Sequence, residues 1–220
     1  MNVLEWIEDL AADLEAIGPD RPPAPRWDQD WFPRLDAAAA YAIVRKTRPR
    51  RIVEIGSGHS TRFLARAVAD GRLETEICSI DPEPRANLDG LSLKRMRVPV
   101  QSAGLTVYDR LEPEDILFID SSHQVKAGSD VEFILKRVLP RLDAGVLVHF
   151  HDIFLPDDYP HAWAWRHYNE QEAVAGLLRD GYVEEFSSHR AARSGELGPV
   201  LSRLPVVPGA VESSLWLRKR

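Results

Sequence analysis

The chain has 220 residues, 44% of them hydrophobic, which is enough for one sizeable α/β core and too little for two domains of ordinary size. Its formal net charge of −6, with scattered basic residues, argues against a general nucleic-acid binder, which needs a basic surface to neutralise phosphates. Cys78 is the only cysteine, which rules out a disulfide framework or a thiolate metal cluster, and no apolar run approaches membrane-spanning length. Glu5, Glu8 and Asp9 fall where the apolar core of a leader would lie, so a cytoplasmic protein with no membrane association is expected.

Asn2 to Ile17 reads as one amphipathic helix, with Val3, Leu4, Ile7, Leu10, Leu14 and Ile17 on one side and acids opposite, stopped by Gly18-Pro19. Asp20 to Pro33 is rich in proline and carries Trp27, Trp31 and Phe32, the pattern of an extended strap pinned by aromatic anchors. Three roles suit it: a lid over a ligand site, a cover for the sheet, or a contact in a homodimer. Residues 1–34 are therefore expected as an extension and 35–220 as the main domain.

A second helix, Leu35 to Thr47, leads into the strand Arg51-Ile-Val-Glu-Ile55, the turn Gly56-Ser-Gly58, and a helical run from Thr61 to Ala69. Such a turn lets a ligand approach the backbone, because glycine tolerates positive φ and has no side chain in the way. The next strand is Glu76 to Asp81, followed by a helix over Glu83 to Leu88. A third strand, Met96 to Gln101, should be an edge or end early because of Pro99. Asp115 to Asp120 is almost wholly apolar, as in a parallel strand buried on both faces, and Ser121-Ser-His123 is its exit loop. A helix from Lys126 to Leu139 precedes a fifth strand, Gly145 to Asp152. Leu155 to Tyr168 reads as a pocket-shaping loop in which Trp163 and Trp165 could wall an acceptor site. A helix (Asn169 to Leu178), a strand (Tyr182 to Phe186), a polar mobile stretch (Ser188 to Gly209) and a last strand (Ser214 to Arg218) complete the chain.

Strands and helices alternating in this way imply a parallel sheet whose ligands sit beyond the carboxyl ends of the strands. Those ends are Glu54 to Gly58, Asp81, Gln101, Asp120 to His123, and His151-Asp152. An NAD site would want a third glycine where Thr61 stands. Asp81 suits a ribose diol, and Glu54, if buried, needs a partner such as an ammonium or sulfonium.

Glu54-Ile-Gly-Ser-Gly58 with Ser60-Thr61, Ile80-Asp81-Pro82, Phe118-Ile-Asp120-Ser-Ser-His123 and His151-Asp152 resemble the successive motifs of class I S-adenosylmethionine-dependent methyltransferases. The closest likeness is to the small-molecule branch with the macrocin-type O-methyltransferases, and Asp36, Tyr41 to Arg45 and Asn169-Glu-Gln171 are also similar to it. The resemblance implies a Rossmann-like, doubly wound, mostly parallel α/β sheet with an N-terminal helical extension. It implies that Gly56, Ser57 and Gly58 pass under the methionine part of S-adenosylmethionine and that Glu54 helps hold its amino end. Asp81, with Pro82, would take the ribose, Gln101 or Ser102 would lie near the adenine, and Ser60 and Thr61 would carry more of the contact in place of the third glycine. Asp120 would face the cofactor or the acceptor.

For a hydroxyl on a small-molecule acceptor a base is needed, and His123 and His151 are the candidates. A divalent metal is the other route, and the metal-dependent relatives' ligand positions hold Asp120, His151 and Asp152 here, the histidine being a departure from their pattern. Asp130 reads as a helix-face charge and His149 as a core histidine. The rivals are an NAD-dependent oxidoreductase or epimerase, a metal-dependent hydrolase using Asp120, His123, His151 and Asp152, and a non-catalytic binding module.

Overall fold

The computed structural model describes residues 1–18, 21–195 and 197–220. Among them, seven strands form one sheet: β1 (Arg51–Ile55), β2 (Glu76–Ile80), β3 (Lys94–Met96), β4 (Ile116–Ile119), β5 (Leu147–Phe150), β6 (Tyr182–Ser187) and β7 (Leu215–Lys219). Their order is β3-β2-β1-β4-β5-β7-β6, parallel from β3 through β5, with β7 antiparallel to both neighbours. The order reverses between β1 and β4, which opens a crevice at their carboxyl ends.

The central strands are apolar throughout because both faces are covered. Ile52 and Phe118 face α3 (Arg34–Thr47) and α4 (His59–Asp70), while Val53, Ile55, Leu117 and Ile119 face the helical segment after β4. Ala37 to Ala40 are fully buried in α3, and side chains that small let the helix lie close to the sheet. β3 is an edge strand that ends before Pro99, as that proline implies, but it covers Lys94–Met96 rather than Met96 to Gln101, and Val100–Ser102 forms a helical turn.

Other segments depart from expectation. The N-terminal helix is broken at Leu10 into α1 (Val3–Asp9) and α2 (Ala11–Glu15). Each half is tied to α3 separately, by Lys46–Asp9 and Arg45–Asp13 ion pairs, while Val3, Ile7 and Leu14 stay buried. Pro19, the expected helix stop, and Asp20, the expected start of the strap, lie outside the described residues. From residue 21 the strap follows α4: Trp27 packs on Phe63 at 5.0 Å between ring centroids, and Phe32 is buried against Phe63, Phe118 and His151.

No helix forms over Glu83 to Leu88, because Pro82 and Pro84 bring no N–H to it and Asp81 Oδ1 accepts the Glu83 amide as a turn. The helix after β4 starts late, as α5 (Asp130–Phe133), where the Ser129 hydroxyl accepts the Glu132 amide, and it widens over Ile134–Val138 into a π-helical turn. Beyond α6 (Glu170–Arg179) and β6, the stretch read as mobile contains α7 (Ser188–Ser194) and α8 (Pro199–Arg203). Val200, Leu201 and Leu204 anchor the latter in the core, three apolar side chains within a polar run.

Candidate functional site

β1 ends in Gly56 at φ +79°, where a Cβ would lie 1.9 Å from the Asp120 carbonyl oxygen, so only glycine fits. The turn is stapled from below by β2. Ser57 donates to Asp81 Oδ2 through its amide at 2.7 Å and its hydroxyl at 3.1 Å. Asp81 is thus half-buried, held by Ser57 on one oxygen and by the Glu83 amide on the other, and it borders the cavity.

Behind the turn sits Glu54, fully buried. Ser60 Oγ and Thr61 Oγ1 each donate to one of its oxygens at 2.7 Å, and the Gly58 amide donates to Thr61 Oγ1. Burial pushes the Glu54 carboxyl up to about 8 against those two hydroxyl bonds, with Asp120 and Asp81 adding to the rise. Glu54, Gly58, Ser60 and Thr61 form a rigid block beneath the cavity rather than its wall. In this arrangement the partners of the Glu54 carboxyl are the Ser60 and Thr61 hydroxyls.

Over the strand ends lies a cavity of about 530 Å³. Gly56, Ser57, Asp81, Pro82 and Gln101 form one wall, and Asp120, His123, His151 and Asp152 form its floor at the β4 and β5 ends. Ser102 is exposed beside Gln101 and outside that wall. Trp31 of the strap, Trp163, Arg166 and Tyr168 also line the cavity, whereas Trp165 is 72% exposed and outside its lining.

The floor is a compact charge cluster. His123 Nδ1 is 2.7 Å from Glu170 Oε1, and its Nε2 is 3.2 Å from Asp120 Oδ1 and 3.6 Å from Asp152 Oδ2. Burial disfavours charge on this imidazole, yet Glu170, Asp120 and Asp152 together hold its pKa well above the usual histidine range. His151 lies 3.4 Å from Asp152 and 3.7 Å from Asp120 through Nδ1, and 3.4 Å from Asp36 through Nε2, which has no hydrogen-bonded partner. Its pKa is also raised against burial, by Asp152 and Asp120. Burial would push Asp120 up, but the two imidazoles hold it well below the carboxylate range. His123 and Asp152 both adopt left-handed φ, at 58° and 56°, a conformation uncommon for side-chain-bearing residues that the surrounding contacts must enforce.

His149, by contrast, is stacked on Phe118 at 3.7 Å and paired with Ser214, and burial pushes its pKa well down, as befits a core residue. His161 and His167 are exposed. Asp130 is not a free helix-face charge: its carboxylate accepts the Ser122 amide and hydroxyl and borders the cavity.

The chemistry of the sequence motifs alone assigned no part to Glu170, Asp36, Arg166 or Tyr168. Only the likeness of Asp36 and Asn169-Glu-Gln171 to a known branch touched the first two. Asp36 accepts the amides of Ser213 and Ser214, and Ser213 Oγ donates to Asp152 at 3.0 Å, so β7's approach also builds the floor.

The side chains expected to hold a metal are turned to one another and to Ser213. Among the described residues, no group of three or more His, Cys, Asp or Glu side chains converges as a metal site. In this arrangement they do not fit a divalent ion.

Residues 53–153 match a family model described as a methyltransferase domain. No curated protein matches the chain. Similar solved structures include the methyltransferase of Podospora anserina bound to S-adenosylhomocysteine (SAH), at 18% identity and a TM-score of 0.52 over 100% of this chain and 88% of that one. An O-methyltransferase from Bacillus cereus in complex with SAH aligns at 14% identity and a TM-score of 0.53 over 100% and 91%. A CmcI structure with magnesium and S-adenosylmethionine aligns at 16% and 0.52 over 94% and 84%. At such identities the likeness is one of fold. Among the described residues, no helix is long and apolar enough to cross a membrane.

Proposed function

We propose that this chain, which carries a methyltransferase domain in a class I methyltransferase fold, moves a methyl group from S-adenosylmethionine to a hydroxyl of a small molecule. The observation that carries the reading is the continuity of one cavity. At one end is a backbone turn that only glycine allows, stapled to an acid at the end of β2, and at the other a buried histidine–carboxylate cluster. The donor's ribose meets Asp81, its methionine part crosses Gly56 and Ser57, and its adenine lies toward Gln101. Asp81 and Ser57 are already fixed to each other, so little ordering is left for binding to supply.

Methyl transfer is an in-line displacement. The acceptor oxygen's lone pair forms the new bond to the methyl carbon, the carbon–sulfur bond breaks, and the sulfonium leaves as a neutral thioether. Holding the two reactants in line contributes about 7 to 11 kcal/mol. The floor sets four carboxylates, Asp36, Asp120, Asp152 and Glu170, against two imidazoles, so it holds excess negative charge even with both protonated, which suits a cationic donor.

Within that floor the two histidines separate. His123 is fixed at both nitrogens, so it serves as an imidazolium that orients Asp120. His151 has only contacts of 3.4 Å or longer and an unpartnered Nε2. The acceptor hydroxyl sits at Asp120, the more exposed of the acids, and His151, once neutral, receives its proton. No step is routed through a metal.

Calorimetry with SAH and with NAD tests the donor assignment. SAH binding that is lost in Asp81→Ala, with no NAD binding, is expected; NAD binding without SAH binding would overturn the reading in favour of a dehydrogenase.

A further inference from the structure

Arg166 stands on the cavity wall beside the acceptor end. It lies in the 161–166 helical turn, whose backbone is held by Gln124 Nε2 donating to the Arg166 carbonyl at 3.0 Å. Its guanidinium carbon lies 4.0 Å from the ring centroid of Trp163 and 5.5 Å from that of Tyr168, and Tyr168 in turn packs on His123 at 4.5 Å. One N–H is used, donated from Nη1 to the Tyr168 hydroxyl at 3.2 Å. Nε is buried with no acceptor, and among the described residues no carboxylate forms an ion pair with this side chain. Of the acids bordering the cavity, Asp120 and Asp152 contact the histidines, Asp130 accepts from Ser122, and Asp81 accepts from Ser57 and Glu83, while among the described residues neither Asp30 nor Glu83 forms an ion pair with Arg166.

A guanidinium flattened on an indole and left with unused donors beside a ligand cavity is shaped for a planar anion. Two parallel N–H groups match the two oxygens of a carboxylate, and a buried unpaired donor is unfavourable until such a partner arrives. The donor's own carboxylate is not that partner. The glycine-turn end of the cavity has a second guanidinium, Arg85, with no ion pair among the described residues, whose amide donates to Ser57 O at 3.3 Å and whose side chain stacks on Trp31 at 4.6 Å. A doubly charged phosphate suits the place less than a singly charged group, because six acids border the same space. Resting on the methyl-transfer reading above, we infer that Arg166 selects acceptors bearing a carboxylate and holds it against Trp163 and Tyr168, with the hydroxyl to be methylated directed at Asp120.

The test compares 3,4-dihydroxybenzoate with its uncharged amide, titrated by NMR into the wild-type protein with and without saturating SAH. The wild type is expected to prefer the acid by about tenfold, the size of a charge-assisted contact. Arg166→Gln should erase that preference while leaving SAH affinity unchanged. A wild type that shows no preference for the acid, including one that binds neither compound, overturns the inference, as does an Arg166→Gln variant that keeps it. Should the variant fail to fold, the wild-type comparison decides alone. Failure of SAH to bind would sink the methyl-donor reading separately, since the preference is also read in its absence.

Discussion

Glu170 presents Oε1 to His123 Nδ1 at 2.7 Å, with both side chains almost wholly out of water, so a helix that starts well beyond β5 holds the exit loop of β4. Breaking such a pair by neutralising one member costs about 3 to 5 kcal/mol, because the remaining charge is left buried. The folded His123 pKa is raised, so the stability it contributes is complete below about 6.5, the unfolded value, and is lost as pH rises through the folded value. Glu170→Gln should therefore lower the urea midpoint strongly at pH 6 and less at pH 9. An equal loss at both values would mean that the pair is not an ionic one.

If His151 is the base, it must first lose the proton that its carboxylate neighbours favour. Turnover should climb with pH above neutrality, and His151→Asn should lower it by about 10²- to 10⁴-fold with SAH affinity retained. A flat profile from pH 7 to 9 would remove His151 from that role.

Chelation is expected to leave turnover unchanged, because Asp120, His151 and Asp152 are committed to one another and to Ser213. Activity abolished by EDTA and restored by magnesium would show that these side chains rearrange around an ion.

Glu54 acts in the opposite sense to a salt-bridged acid. Its folded pKa, about 8, exceeds the ordinary carboxyl value, so the folded state holds the proton longer than the unfolded chain. Stability should fall by up to about 1.4 kcal/mol per pH unit between roughly pH 4.5 and 8 from this group alone. Glu54→Gln keeps the shape and the capacity to pair with Ser60 and Thr61, so it should flatten that slope when urea midpoints are followed across the window.

Gly56→Ala places a methyl group on the Asp120 carbonyl and forces positive φ on alanine. The backbone conformation alone costs about 1 to 2 kcal/mol. A lower melting temperature and loss of SAH binding are expected together, since the same backbone forms the cavity wall.

The central sheet was legible in the sequence because its strands, buried on both faces, are continuous apolar runs ended by Gly, Asp or Pro. β3 and the turns at 82–88 were misread where prolines at 82, 84 and 99 overrode a weak apolar pattern. The glycine-turn side of the cavity is local, one turn and one strand end, so the residues that line it could be named in advance. The histidine–carboxylate side draws on Asp36, Glu170, Arg166 and Ser213, far apart in the chain, and their only common property is the place where the fold puts them. Nothing about a lone glutamate at a helix start announces a histidine 47 positions earlier.

Phe32 belongs to the proline-rich strap, 2% exposed, with its ring 5.5 Å from the imidazole of His151. It covers part of His151 with an apolar ring, and a low-dielectric lining is what lets neighbouring carboxylates govern those imidazoles so strongly. The part of the chain that contributes no reacting group thus sets the medium in which the reaction runs. Shortening the strap would act on proton affinity before it acted on shape.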